Sequence, residues 1–230
     1  MKKLWVWIGL IAVVLILVGV FGIDRSREGM IFGTVTDASS GDPVHKAKIV
    51  VGGRSTIRYL DKDFQITKLR PGKCTLTVSA PGYKSVVKEV SVGRRGTRVD
   101  VSMSGTEILG LDQIVVFAEP MREQGIQIEI RLLDGEGTVI VNFPRIPMTL
   151  DATLCVRKGT EEKHARGRLV YSGPVEIRWD SESLLGKIKG IIPKEGMRRP
   201  INGKYGLLDV VLHTAQGRFA DSRADVILQP

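Results

Sequence analysis

Apolar and polar residues alternate along most of this chain with the two-residue period of β-strands, behind one uninterrupted apolar run. From Met30 onward, short runs rich in Val, Ile and Thr are separated by Gly, Pro and Asp turns, which predicts an all-β fold. MIFGTVTD, AKIVVG, FQITKL, CTLTVSA, SVVKEVSV and TRVDVSMS are the expected strands of a first module. In CTLTVSA, Cys74, Leu76 and Val78 share one face while Thr75 and Thr77 take the other, the pattern of a half-buried strand. Residues 105–124 interrupt the rhythm. Ile108, Leu111, Ile114 and Val115 suit a short helix, whereas Val115-Val116-Phe117 suits a strand, and Pro120 fits poorly inside a central strand. This stretch reads as a linker. The β rhythm then resumes in IQIEIRLL, TVIVNF, ATLCV, RGRLVY, VEIRW, KIKGII, LLDVVLHT and ADVILQ, with turns expected at Asp134-Gly135, Ser172-Gly173-Pro174 and Gln216-Gly217. Because half-apolar sheets must cover one another, a second β-sandwich, immunoglobulin-like in outline, is expected over residues 125–230.

The apolar run is of another kind. Leu4 to Ile23 reads LWVWIGLIAVVLILVGVFGI without a charge; about 20 residues at roughly 1.5 Å rise match the roughly 30 Å hydrocarbon core of a bilayer. Lipid offers backbone polar groups no partner, so such a segment is stable there as a helix. Trp5 and Trp7 suit the headgroup zone, and Lys2 and Lys3 keep the N-terminus in the cytoplasm. Arg25 and Arg27 act against that orientation, offset by Asp24 and Glu28. A cleaved signal peptide would have a shorter apolar region and a small-x-small site, which Val20-Phe21-Gly22 matches only marginally. The absence of a cysteine at the end of the run excludes a lipoprotein anchor. The expected architecture is a transmembrane anchor (1–23), a juxtamembrane linker (24–29), a β-sandwich (30–104), a linker (105–124) and a second β-sandwich (125–230). The chain is expected in the cell membrane, single-pass, with its bulk extracytoplasmic.

The first module resembles the carboxypeptidase regulatory-like domain, a transthyretin-like β-sandwich, over roughly residues 30–104. The resemblance rests on Gly33-Thr34-Val35-Thr36-Asp37, Gly41-Asp42-Pro43-Val44, Ala47 before the strand from Lys48 to Val51, Leu69-Arg70-Pro71-Gly72, and Val78-Ser79-Ala80-Pro81-Gly82-Tyr83. Pro-Gly pairs suit turns with a positive φ at the glycine. Two departures stand out: Leu60-Asp61-Lys62-Asp63-Phe64 shortens a turn and lacks its glycine, and Cys74 replaces an aromatic residue. What the resemblance implies is a structural spacer or interaction module without catalysis.

Composition adds little chemistry. The chain is 43% apolar and 26% charged, as globular proteins are, with a formal net charge of +9. That excess suits an anionic lipid surface or polymer; with aromatics at 6% and the basic residues dispersed, nucleic acid is not expected as a partner. His45, His164 and His213 have no metal-ligand spacing, no serine sits in a G-x-S-x-G elbow, and Asp61 with Asp63 is too short for a calcium loop. No catalytic residue, metal or cofactor is expected. Cys74 and Cys155 lie in different modules in apolar surroundings and read as buried free thiols. Two basic stretches read as interaction loops: Arg94, Arg95 and Arg98 at a hairpin tip, and Arg198 with Arg199 in the polar loop PKEGMRRPING. The expected function is a non-catalytic, membrane-anchored module that binds another envelope protein. A polysaccharide or wall-polymer binder, using Trp179 and Tyr205, and an unrecognised hydrolase are the alternatives.

Overall fold

A computed structural model describes residues 28–58, 63–160, 163–180, 183, 185 and 188–229. The segment Leu4–Ile23 and the turn residues Leu60, Asp61 and Lys62 lie outside the described residues. Among the described residues no helix is long and apolar enough to cross a membrane. They form four four-stranded sheets, without an α-helix, in two compact units that divide between Gly105 and Thr106.

In the first unit, β1 (Gly29–Asp37) is paired with β4 (Asp63–Leu69) on one side and, in parallel, with the short β7 (Thr97–Arg98) and β8 (Val101–Met103) on the other. The second sheet runs β3 (Arg54–Arg58), β2 (Ala47–Val51), β5 (Gly72–Ser79), β6 (Val86–Val92), all antiparallel. Alternate residues bury one face of each sheet in a common core: Ile31, Val35, Phe64 and Met103 from one, Ile49, Val51, Leu76 and Val78 from the other. The motif glycine Gly33 is required by a close approach. A Cβ there would collide with the Val99 carbonyl where the chain passes from β7 to β8. That passage also splits TRVDVSMS into two strands. RSTIR has no apolar alternation to announce β3; the ladder of β2 supplies its partner.

The second unit holds β9 (Gln113–Ala118), β10 (Gly125–Leu133), β11 (Met148–Gly159), β12 (His164–Val175), β13 (Ile177–Trp179), β14 (Ile188–Pro193), β15 (Tyr205–Thr214) and β16 (Gly217–Ile227). Their sheet orders are β13-β14-β10-β9 and β12-β11-β15-β16, antiparallel throughout. Ile126, Ile128, Ile130 and Leu132 of β10 face Leu150, Leu154, Leu208, Val210 and Leu212 across one core.

Three sequence expectations are corrected here. Residues 105–124, read as a linker, supply β9 and the core residues Ile108, Ile114 and Val116. TVIVNF is not a strand: β14 covers β10 only from Gly125 to Ile130, and the short edge left beyond it takes a single bridge, Leu133 to Val139. Ile140 keeps one bond to the Leu132 carbonyl before the chain leaves the sheet. Ser172-Gly173-Pro174 is no turn either: β12 runs through it, in register with Thr153, Ala152 and Asp151. At the expected turn Gln216-Gly217, the Gln216 side chain reaches back, accepting from Ile108 N–H at 2.7 Å and donating to its carbonyl at 3.0 Å.

Candidate interaction surface

Arg94 and Arg95 do not cap a hairpin. The turn Gly93–Gly96 carries the chain from β6 in one sheet to β7 in the other, a change of sheet invisible in the sequence. Thr97 staples it: its Oγ1 donates to the Ser91 carbonyl at 2.7 Å and accepts from Gly93 N–H at 3.0 Å. Both arginines are exposed and make no ion pair among the described residues. Arg98 is different, with its Nε 2.9 Å from Asp100 Oδ2. That bond raises the guanidinium and, with the two bonds that Asp100 accepts from Thr34, holds the Asp100 carboxyl below its ordinary range.

The loop with Arg198 and Arg199 is fastened by its backbone. Met197 is buried, Arg198 N–H donates to the Val170 carbonyl at 2.7 Å, and the Arg168 guanidinium donates to the carbonyls of Arg199 at 2.8 Å and Pro200 at 3.2 Å. The side chains of Arg198 and Arg199 are exposed. Trp179 and Tyr205 belong to different sheets, and both rings are engaged. Arg145 lies 5.0 Å from the Trp179 ring centroid, with Phe143 at 6.0 Å; Arg157 and Lys204 lie 4.7 and 5.4 Å from that of Tyr205. Stacked cations of this kind hold an aromatic ring by its quadrupole.

Sequence reasoning missed the outer face of the sheet β13-β14-β10-β9. Cross-strand register places Arg178, Lys189, Glu129 and Phe117 in one row over its four strands. Two shallow depressions of about 180 and about 190 Å³ share Gln127, Ile128 and Lys189. A broader one of about 600 Å³ continues from Arg178 and Ile191 to Glu176 and Glu195. Lys189 Nζ sits 2.7 Å from Asp180 Oδ2, a bond that raises the ammonium above its ordinary value. Arg131 Nε is 2.8 Å from Glu129 Oε1, and the same guanidinium stacks 4.2 Å from the Phe117 centroid. The alternation in IQIEIRLL does mark Gln127, Glu129 and Arg131 as outward. What it cannot show is which strands adjoin them.

Elsewhere, His213 Nε2 lies 3.0 Å from Asp151 Oδ2 on the other sheet of this unit. Both cysteines are free thiols, Cys155 buried and Cys74 half-buried, and burial raises both. Among the described residues no group of three His, Cys, Asp or Glu side chains is placed to hold a metal ion.

Comparison with known proteins finds a family only within the first unit. Residues 30–104 match the family model of the carboxypeptidase regulatory-like domain, in agreement with the motifs from Gly33 to Tyr83. No curated protein matches the chain. Among solved structures, a protein from Bacteroides uniformis ATCC 8492 provisionally described as carbohydrate binding is 8% identical, with a TM-score of 0.30, covering 86% of this chain and 98% of its own. A protein of unknown function from Bacteroides fragilis NCTC 9343, provisionally described as membrane-associated, is 11% identical, with a TM-score of 0.29 and coverage of 86% and 95%. BcpA, the major pilin subunit of Bacillus cereus, is 10% identical, with a TM-score of 0.31 and coverage of 88% and 70%.

Proposed function

We propose that this chain is a single-pass membrane protein, held by Leu4–Ile23 with its N-terminus in the cytoplasm, that presents two tandem β-sandwiches outside the cytoplasm as a non-catalytic binding module. The second sandwich, immunoglobulin-like in outline, carries the working surface on the outer face of β13-β14-β10-β9. The observation behind this reading is the pairing of the carboxylates in the central row, Glu129 with Arg131 and Asp180 with Lys189, while Glu176 and Glu195 stand exposed at the margin. A reaction site needs an acid or base left available to substrate, whereas a broad face of compensated charge with an Arg-stacked aromatic suits protein recognition. The depressions are shallow compared with the few hundred Å³ and more of a typical small-molecule site, except the widest, which is open and polar. Sugar stacking is disfavoured because Trp179 and Tyr205 already carry cations on their rings. The partner is therefore another protein of the envelope.

A photo-crosslinking amino acid at Gln127 of the full-length protein in intact cells tests this. A discrete adduct with one membrane or envelope protein, lost on Lys189→Glu, is expected. Crosslinks to glycan alone would overturn the protein-partner reading. Release of the chain from membranes by a carbonate wash would overturn the anchor.

A further inference from the structure

The strand pairings of the first unit gather basic residues from separate stretches at one end. Gly29 is opposite Leu69, and Gly72 is opposite Val92, so the start of β1, the β4–β5 turn and the end of β6 adjoin. Val51 pairs with Leu76, and a Cβ on Gly52 would touch the Leu69 side chain at 3.9 Å, which brings in the β2–β3 turn. Arg54, Lys68, Arg70, Lys73, Arg94 and Arg95 are all exposed at this pole. Only Lys73 is paired among the described residues, with Glu89 at 3.1 Å, and Glu28 is the other carboxylate nearby. At the far end of β1 lie Asp37, Asp42 and Asp63, offset there by Lys46 and Lys84.

The basic pole is also where the chain enters the unit. Only residues 24–27 separate the proposed anchor from Glu28, and four extended residues reach about 14 Å at most. That is close to the roughly 10 Å over which a charged surface acts at moderate salt. Met30 and Phe32, packed beneath the Gly93–Gly96 turn, add apolar surface beside the arginines, with Phe32 37% exposed.

Resting on the anchor reading above, we infer that this pole docks on the anionic headgroups of the bilayer that holds the anchor, setting the first unit upright with its Asp37 end away from the lipid. The tether holds the pole within range, and each basic residue close to an anionic surface favours the docked state by roughly fivefold. Exposed arginines without carboxylate partners keep their full charge for that surface.

Hydrogen exchange on the full-length chain in lipid nanodiscs, neutral phosphatidylcholine against discs with added phosphatidylglycerol, reads the docking directly. Amides of 70–73 and 93–97 should exchange several-fold more slowly in the anionic discs, while those of 38–42 stay the same. The triple variant Arg70→Gln/Arg94→Gln/Arg95→Gln should lose the difference, as should high salt. Equal exchange at the pole in both discs, with the protein still bound, would overturn the docking and leave the anchor intact. Protein that elutes apart from the discs would overturn the anchor, and the docking with it.

Discussion

Tyr83 donates its hydroxyl to Asp37 Oδ2 at 3.0 Å, joining residues 46 positions apart in sequence. Asp37 is 3% exposed, and its Oδ1 accepts from Ser39 N–H at 2.7 Å and Ser40 N–H at 3.1 Å. These two residues close the first and last motifs of the carboxypeptidase regulatory-like pattern, Gly33 to Asp37 and Val78 to Tyr83. The pattern is thus a contact as well as a pair of turns: one carboxylate shapes the turn after β1 and clasps the residue that follows the Pro81-Gly82 turn.

Replacing Tyr83 with Phe removes a bond to a buried charge and should cost about 1.5–3 kcal/mol. Asp37→Ala, which also strips the acceptor from the Ser39 and Ser40 amides, should cost more. Urea unfolding of the full-length protein, followed by a probe in the first unit, measures both.

Burial, helped by the Asp37 carboxylate, pushes the Tyr83 phenol well above its ordinary value. The folded state therefore holds this proton more tightly than the unfolded chain does. The stabilisation is complete below the unfolded value of about 10 and is lost as pH rises beyond it. Unfolding midpoints should fall more steeply above about pH 10 in the parent protein than in Tyr83→Phe. Parallel slopes would refute the linkage.

Gly33→Ala forces a methyl group into the Val99 carbonyl, where backbone rather than a flexible side chain must yield. A loss of about 1–3 kcal/mol is expected, the range for overpacked sites. Thermal unfolding compared with Gly41→Ala, where a Cβ meets nothing within 4 Å, separates collision from the strain of a positive φ.

Gln216→Ala should release the segment before β9. Two bonds to Ile108 are lost, about 1–2 kcal/mol together when the backbone partners are left half-buried. Faster hydrogen exchange at Ile108, with β15 and β16 unaffected, is the expected signature.

The strands that alternate cleanly, from MIFGTVTD to LLDVVLHT, were legible because burial on one face imposes the period. Where several alternatives satisfied that period, tertiary pairing decided. Val115-Val116-Phe117 became a strand because β10 offered it six residues of edge, whereas the edge open to TVIVNF beyond Ile130 was long enough for one bridge, Leu133 to Val139. The basic tip at Arg94 and Arg95 was visible as chemistry, but its neighbours Arg54, Lys68 and Arg70 come from strand order. The row from Arg178 to Phe117 was hidden for the same reason: each residue is an ordinary outward position on its own strand, and the surface exists only once four strands are laid side by side.

The middle position of β1 has a kinetic consequence. Its partners are β4, β7 and β8, the last pairing Val35 with Val101, so the strand made first in this unit waits for the residues made last. Closing such long loops before any contact repays them slows folding. A chain emerging N-terminus first would hold this sheet open until Met103 had cleared, and its apolar Ile31 and Val35 would need shielding until then.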